Sequence, residues 1–275
     1  MRALLASPLG FLIGLSLGAL GGGGSILAVP ALVYAAGETP KHATTTSLVL
    51  VAITAVIGMV PHWRAGRVRL AAGTIFGLAG VGGSLLGSHW NKAADPDVLL
   101  LAFSGLMMIA AYAMWRRVRN TPNATLLRSV GAAVAPAAAR SARSARSAQI
   151  APMTVAKVIV AGTIVGLLTG FFGVGGGFVI VPALVLALGF TMPEAVGTSL
   201  LVIAINSVVA LSTRLEAGSI EWGTVIPFTI ASLLGVVIGT RLASTRDSVS
   251  LQKWFVGLLV VVAVYTAVRS GLALR

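Results

Sequence analysis

The sequence predicts an all-α polytopic membrane protein of two homologous repeats, each with about four transmembrane helical segments. The chain has 275 residues, of which 57% are hydrophobic and 10% charged, and its mean hydropathy is +0.97, outside the range of soluble domains. Most of its apolar segments match the length of one bilayer crossing. A glycine-rich pattern also occurs twice, at a constant offset of 152 residues, which indicates an internal duplication.

The apolar segments form two sets of four. The first set covers about 8–36, 43–60, 70–88 and 98–115, and the second covers about 158–188, 195–212, 222–240 and 254–268. A single span needs about 20 residues, so six of these segments fit one crossing each. The first segment of each set is too long for a simple straight crossing.

A run of glycines interrupts the first long segment. Gly21 to Gly24 and Ser25 lie between apolar stretches, and glycine inside a helix costs about 1 kcal/mol relative to alanine. Non-helical backbone at membrane depth is tolerated only where protein or a watery cavity satisfies its polar groups. The second repeat has the same feature: GLSLGALGGGGSILAVPALV becomes GLLTGFFGVGGGFVIVPALV. We therefore expect the first helix of each repeat to break at its glycine run.

Two topologies follow from the long segments. A continuous but broken helix gives four crossings per repeat and parallel halves, whereas a re-entrant hairpin gives inverted halves. Counting Lys and Arg on each side does not separate the two. Parallel halves are favoured here because continuous helices satisfy their backbone most simply. Both topologies put the loop at Arg64 in the cytoplasm.

Three regions result: a first transmembrane repeat at 1–115, a basic linker at 116–156 and a second repeat at 157–275. The linker contains the low-complexity stretch AAARSARSARSAQ, which cannot bury enough apolar surface to order itself. We expect it to be disordered and cytoplasmic. It acts either as a tether that carries a topology signal, the favoured interpretation, or as a segment that binds anionic lipid.

Composition also excludes several classes of function. The net charge of +13 comes from basic residues in loops, the positive-inside pattern, so no nucleic-acid partner is expected. The chain lacks cysteine, its three histidines are scattered and it has no P-loop, so we expect no metal, cofactor or ATP hydrolysis. All seven acidic residues lie at or beyond the ends of the apolar segments, which suits an anion pathway.

The repeated pattern G-x-x-x-G-x-x-G-x-G-G-x-x-x-x-x-P, at Gly14 to Pro30 and Gly166 to Pro182, resembles the TauE/SafE sulfite exporter family. In each half a small polar segment follows it, TTTS or VGTS, and then a turn, RAGRVR or EAGSIEW. The resemblance implies a secondary transporter in the bacterial inner membrane that exports sulfite, a sulfonate or a related small organosulfur anion. Gly22 departs from the second repeat, which has Val174 there, and Ser25 stands where that repeat has Gly177.

The broken helices supply the candidate anion site. Free N–H groups at the start of a helix, reinforced by its dipole, bind anions, and glycine lets an oxyanion approach closely. The candidate residues are Gly21, Gly23, Gly24 and Ser25 in the first repeat and Gly173, Gly175, Gly176 and Gly177 in the second. The GxxxG spacings at Gly14 and Gly18, and at Gly166 and Gly170, are instead interpreted as helix packing.

Polar side chains near the breaks complete the candidate set. Thr46, Ser47, Thr198 and Ser199 either donate to the anion or cap and bond their own helices, and both interpretations stay open. Asn206, aligned with Thr54, either contacts substrate, the favoured interpretation, or bonds across helices. His62 and the aligned Arg214 either attract anions or anchor the helix ends at the interface. His89 and Arg241 are interpreted as interfacial.

A carrier that works by alternating access is therefore expected, with the membrane potential able to drive an anion outward. The alternatives are a passive anion channel and a non-transporting scaffold that recruits partners through the linker. A membrane enzyme is disfavoured, because no nucleophile, base and carboxylate recur at depth. Besides the anion and the bilayer, a homodimer is left open as a partner.

Overall fold

In a computed structural model of the chain, the described residues are 2–22, 24, 28, 32, 40–91, 96–119, 152–172, 177–212 and 222–273. They form nine α-helices and no strand. In chain order these are α1 Arg2–Leu20, α2 Pro40–Arg64, α3 Leu70–Asn91, α4 Pro96–Arg119, α5 Pro152–Phe172, α6 Gly177–Leu186, α7 Met192–Ser212, α8 Trp222–Thr245 and α9 Ser248–Ala273.

The helices have the length and composition of membrane spans. Within the described residues, six are long and apolar enough to cross a bilayer: α2, α3, α5, α7, α8 and α9. Two apolar helices are shorter, 8–20 of α1 and the whole of α6. The predicted all-helical, polytopic membrane fold is confirmed.

Most helices begin or end a few residues beyond the apolar segments. The helix α4 continues through Arg119 and α5 begins at Pro152, so both ends of the predicted linker are helical. The rest of that linker, 120–151, lies outside the described residues. Its expected disorder stays a prediction.

The predicted break of the first long segment is present in the first repeat, and in the second repeat it falls at 173–176, between two helices and outside the described residues. In the first repeat α1 ends at Leu20, Gly21 has a positive φ of 76°, and the chain is helical again at Gly24. In the second repeat α5 ends at Phe172 and α6 begins at Gly177. Left-handed backbone at Gly21 favours glycine, which has no Cβ to strain.

The tightest helix pairs join one repeat to the other, and glycine makes them possible. The helix α1 packs on α8, and α3 packs on α5. A Cβ added to Gly14 would overlap the backbone of Ser232, and one added to Gly166 would overlap that of Gly80. Small residues at such interfaces let helix backbones approach closely. The interpretation of the GxxxG spacings as packing is confirmed.

The two interfaces are equivalent residue by residue. The contacts of Gly10, Gly14 and Gly18 with α8 have counterparts 152 positions further on, at Gly162, Gly166 and Gly170, which contact α3. The partners shift by the same offset: 228, 232 and 236 on α8 correspond to 76, 80 and 84 on α3. The sequence duplication is thus matched by a duplicated packing interface.

The directions of the helices decide between the two topologies. On α7, Thr198 lies beside Arg69 and Ile205 beside Gly77, so α3 and α7 run the same way. Successive contacts of α5 with α3 move toward the C-terminus of both helices, so these two helices also run the same way. Because α5 and α7 both run parallel to α3, the chain must reverse between them, and α6 is the returning arm of a hairpin.

The expectation of parallel halves is therefore wrong. Parallel halves require the equivalent helices α2 and α7 to run the same way, but His62 contacts Gly197 while Gly58 contacts Leu200, an antiparallel register. In the first repeat, Gly24 returns to pack against Ile13 and Leu17 of α1, which a continuous helix cannot do. The halves are inverted, each with a hairpin at its glycine run.

The helix α6 reaches only part of the way across the membrane. Its last turn lies beside the end of α4, where the Arg117 side chain donates to the Val185 carbonyl. At 1.5 Å per residue, its 10 residues span about 15 Å, half of the about 30 Å of a bilayer core. Its first residue, Gly177, thus lies near the middle of the bilayer.

Candidate functional site

The glycine breaks of the two repeats meet in the structure. A Cβ added to Gly22 would overlap the carbonyl group of Gly177 and lie 2.8 Å from the backbone nitrogen of Phe178. No side chain larger than that of glycine fits between the two backbones. We call this contact of Gly22 with Gly177 the glycine crossing. It brings two segments 155 positions apart in sequence to one place near the middle of the bilayer.

A turn of α7 borders the crossing. A Cβ on Gly21 would clash with the Ser199 Oγ atom and lie 3.2 Å from both the Val181 side chain and the Val196 Cα atom. Gly21 also has positive φ, so space and backbone conformation both require glycine there. The crossing is therefore formed by Gly21 and Gly22 of the first repeat and by residues of α6 and α7 of the second.

The start of α6 gives the crossing its electrostatic character. The first N–H groups of a helix have no intrahelical acceptor, and the helix dipole adds partial positive charge there. At Gly177 these groups lie at the crossing, in a part of the chain without acidic side chains. An oxyanion can accept hydrogen bonds from backbone N–H groups of this kind.

Aromatic side chains hold the first turn of α6 in place. The rings of Phe103 on α4 and Phe178 on α6 pack edge to face, with centroids 4.8 Å apart. Phe172, the last residue of α5, packs against Phe103 at 5.5 Å. Both Phe103 and Phe178 are buried. This cluster fixes the break of the second repeat on one side.

All four predicted hydroxyl residues are buried, and the hydrogen bonds of Thr198 and Ser199 lie within the protein. The Thr198 Oγ1 atom accepts a hydrogen bond from the Arg69 backbone nitrogen at 3.1 Å. The Ser199 hydroxyl donates to the Val196 carbonyl of its own helix at 2.8 Å. Thr46 and Ser47 are both buried in α2. Thr198 thus joins α3 to α7, and Ser199 contacts the crossing while it bonds to its own backbone.

His62 is buried beside the same turn of α7. Its side chain is 2% exposed, and neither ring nitrogen has a hydrogen-bond partner among the described residues. It packs against Gly197, whose added Cβ would lie 3.0 Å from the His62 Cβ atom. By contrast, His89 and Arg241, interpreted as interfacial, are exposed.

Asn206 lies away from the crossing, two turns further along α7. Its Nδ2 atom lies 3.9 Å from a Cβ added to Gly80 on α3. Its Oδ1 atom is buried without a hydrogen-bond partner in the described part of the chain. The aligned Thr54 instead donates to the Leu50 carbonyl at 2.7 Å. The structure thus places Asn206 between α3 and α7, and its contact with substrate stays a prediction.

The remaining predicted site residues divide into two groups. Gly21, Gly24 and Gly177 lie at the breaks, as expected. The others fall outside the described residues and stay predictions: Gly23, Ser25, Gly173, Gly175, Gly176 and Arg214.

Sequence reasoning missed an ion pair on the side where α3 and α7 begin. The Arg69 guanidinium lies 2.7 Å from the Glu194 carboxylate, which also accepts from the Thr191 hydroxyl. No local pattern marks this pair, because its members are 125 positions apart. Gly22 was missed as a site residue for another reason: the second repeat has valine there, although Gly22 belongs to the glycine run.

These features define a class: a polytopic helical membrane protein with inverted repeats whose paired helix breaks meet near the middle of the bilayer. The chain belongs to the sulfite exporter TauE/SafE family, whose model matches residues 6–266. It is thus a transmembrane transporter by family.

Curated relatives agree with this assignment. A "Probable membrane transporter protein" of Xylella fastidiosa (strain 9a5c) is 34% identical over 273 residues, covering 96% of this chain and 95% of the relative. The "Probable membrane transporter protein YunE" of Bacillus subtilis (strain 168) is 24% identical over 268 residues, covering 95% and 92%. A relative from Methanocaldococcus jannaschii, MJ0441, is 36% identical but covers only 40% of this chain. No solved structure matches the chain.

Proposed function

We propose that this protein is a secondary transporter that exports a small sulfur oxyanion, sulfite or a simple sulfonate, across the bacterial inner membrane. The observation that carries the proposal is the glycine crossing. A site near the middle of the bilayer, built from broken helices of two inverted repeats, is typical of carriers that work by alternating access. The name of the family supports the class of cargo.

The chemistry of the crossing supports an anion over a cation. Backbone N–H groups at the start of α6 attract negative charge, and no carboxylate lies on the described turns that border the crossing. A cation site needs carbonyl or carboxylate oxygens, and the acidic Glu194 is already paired with Arg69. The bound anion exchanges its water shell for hydrogen bonds from these N–H groups. Because glycine has no side chain, the backbone polar groups stay accessible to the anion.

The contacts between the repeats support alternating access. Each hairpin is packed by glycine against a helix of the other half, α1 on α8 and α5 on α3, so each pair forms one tightly packed unit. The crossing lies where the two hairpins touch. Rocking one pair against the other would then expose the crossing first to one side and then to the other.

The test is counterflow of radiolabelled sulfite and methanesulfonate in proteoliposomes that contain the full chain. The variants Gly22→Leu and Gly177→Leu each insert a side chain into the crossing, and we expect transport to fall at least 100-fold. Gly105→Leu is the matched control, because a Cβ at Gly105 meets nothing within 4 Å. Size-exclusion profiles identify any variant that misfolds, and transport is compared only among variants that remain monodisperse.

Several outcomes would contradict the proposal. If the wild-type protein transports neither anion, the proposed cargo is wrong. If, in addition, a cellular phenotype requires the linker, the scaffold alternative is favoured. Full transport by both crossing variants places the pathway elsewhere. Flux that shows no counterflow and no saturation, at rates far above those of a carrier cycle, identifies a passive channel.

A further inference from the structure

His62 is a buried titratable group whose presence the packing of the helices does not explain. Its imidazole is 2% exposed, and both ring nitrogens lack a partner among the described residues. Most buried polar atoms in native proteins have a hydrogen-bond partner, so each exception needs a reason such as a ligand or a water. An imidazole always carries at least one N–H. The Gly18 carbonyl of α1 faces the ring, but it does not complete a hydrogen bond to either ring nitrogen.

The position of His62 relates it to the glycine crossing. It lies in the last turn of α2 and packs against Gly197 of α7. Val196 and Ser199, in the same turn of α7, contact Gly21. The His62 side chain and the glycine crossing therefore contact the same turn of α7.

Among the residues that the structure describes, no acidic side chain near His62 is free to pair with it. On α7 the acidic residue is Glu194, which is bound by Arg69 and Thr191. The other charged groups nearby are basic: Arg67, which acts on His62 electrostatically, and Arg69 itself. From Pro8 to Leu20, α1 has no charged residue, and α8 carries the exposed Arg241.

We propose that His62 takes up a proton when the anion binds, so that anion and proton cross the membrane together. The proposal rests on the proposed function and names its coupling ion. A buried charge without a counter-charge is far more costly than a neutral ring, so the empty site holds neutral imidazole. A bound anion supplies the counter-charge, and the imidazolium then donates from a ring nitrogen.

The consequence is a change in what drives transport. Because the imidazole is neutral in the empty site and charged beside the anion, the proton binds and leaves together with the anion on each side. A monoanion with one proton is electrically neutral. Transport then follows the gradients of the anion and of pH, so net export requires an outward anion gradient larger than any opposing pH gradient. An anion alone would instead be driven outward by the membrane potential.

The experiment uses methanesulfonate, which is fully ionised at working pH, so that any proton that moves is carried by the protein. Proteoliposomes containing the full chain are clamped at zero potential, and a gradient of one pH unit is imposed. With one proton per anion, wild-type protein should accumulate methanesulfonate about tenfold on the alkaline side, because one pH unit is a tenfold ratio of proton activity. A pH dye inside the vesicles should report the matching proton flow.

Three variants separate His62 from other sources of coupling. His62→Gln keeps a hydrogen-bond donor, and His62→Arg keeps a positive charge, but neither exchanges a proton, so both should lose the pH-driven accumulation and the matching proton flow at whatever rate of counterflow each retains. His89→Gln, at an exposed histidine of α3, is the control and should accumulate like wild type. Accumulation and proton flow are measured in the His62 variant that retains counterflow.

The outcomes distinguish the two proposals. Counterflow in wild type without accumulation overturns proton coupling and leaves the proposed function standing. Accumulation that persists in a functional His62 variant also overturns it, because the proton then uses another group. Absence of methanesulfonate counterflow in wild type removes the sulfonate cargo, and the His62 proposal falls with it.

Discussion

At the scale of single residues, the same side-chain types serve structure or substrate according to their partners. The sequence identified Thr198 and Ser199 as hydroxyls that either donate to an anion or bond within the protein. In the structure Thr198 accepts from the backbone of Arg69, and Ser199 bonds to its own helix. Local sequence could not choose, because Arg69 lies 129 positions from Thr198.

The pair of Arg69 and Glu194 joins the loop before α3 to the first turn of α7, and its charges can be tested by reversal. The side chains are 39% and 22% exposed, so the pair should contribute about 1 kcal/mol or less to stability. Glu194→Arg places two guanidinium groups together, and we expect it to slow sulfite counterflow at least tenfold. Adding Arg69→Glu in the same chain should restore most of the rate.

Thermal unfolding in detergent separates a local effect from a loss of fold. We expect the single and double variants to melt within a few degrees of wild type, since the pair is partly exposed. A double variant as slow as the single one would show that the pairing of opposite charges is not what the carrier needs at this position.

At the scale of elements, glycine faces decide which helices pair. The helices α1 and α5 have equivalent glycine faces, and each packs on the third long helix of the other repeat, α8 and α3. The sequence predicted that these glycines serve packing. It could not assign the partner, since a glycine face is complementary to any other face of small residues.

Gly166→Leu should destabilise the fold strongly. A Cβ there would overlap the backbone of Gly80, which cannot move aside as a flexible side chain can, so we expect a loss of about 3 kcal/mol or more. Gly14→Leu should be equally harmful, because Gly14 meets Ser232 in the equivalent place. The measurement is the fraction of monodisperse protein and its melting temperature in detergent.

Gly82→Leu is the control for this pair of variants. It lies in α3, as does Gly80, but nothing lies within 4 Å of a Cβ at that position. We expect it to express and melt like wild type. If it proved as harmful as Gly166→Leu, helix propensity or insertion, and not packing between the repeats, would explain the losses.

At the scale of the whole molecule, the inverted arrangement fixes which loops share a side. The Met192 nitrogen, at the start of α7, donates to the Ser248 hydroxyl at the start of α9. Glu194, in the same first turn of α7, binds Arg69. The loop before α3 and the loop before α9 therefore lie on the same side of the membrane. Parallel halves would place them on opposite sides.

Single cysteines test this arrangement directly, because the chain contains none. In intact cells, a membrane-impermeant maleimide should label Ser88→Cys near the end of α3 and leave Ala65→Cys and Asp247→Cys unlabelled. All three positions are exposed, and all three should react once the membrane is opened with detergent. If only one of Ala65→Cys and Asp247→Cys were labelled in intact cells, the two loops would lie on opposite sides, as in the parallel topology.

The sequence by itself determined the membrane class, the duplication, the place of both helix breaks and the family. These properties depend on composition, on local backbone preference and on a fixed offset, all of which can be read along one chain. The tertiary structure decided the inverted direction of the halves, the meeting of Gly22 with Gly177 and the burial of His62 without a hydrogen-bond partner among the described residues. Each of these depends on contacts between segments far apart in sequence. A glycine run permits a bend or a full reversal equally well, and only the packing of α1 on α8 and of α5 on α3 selects the reversal.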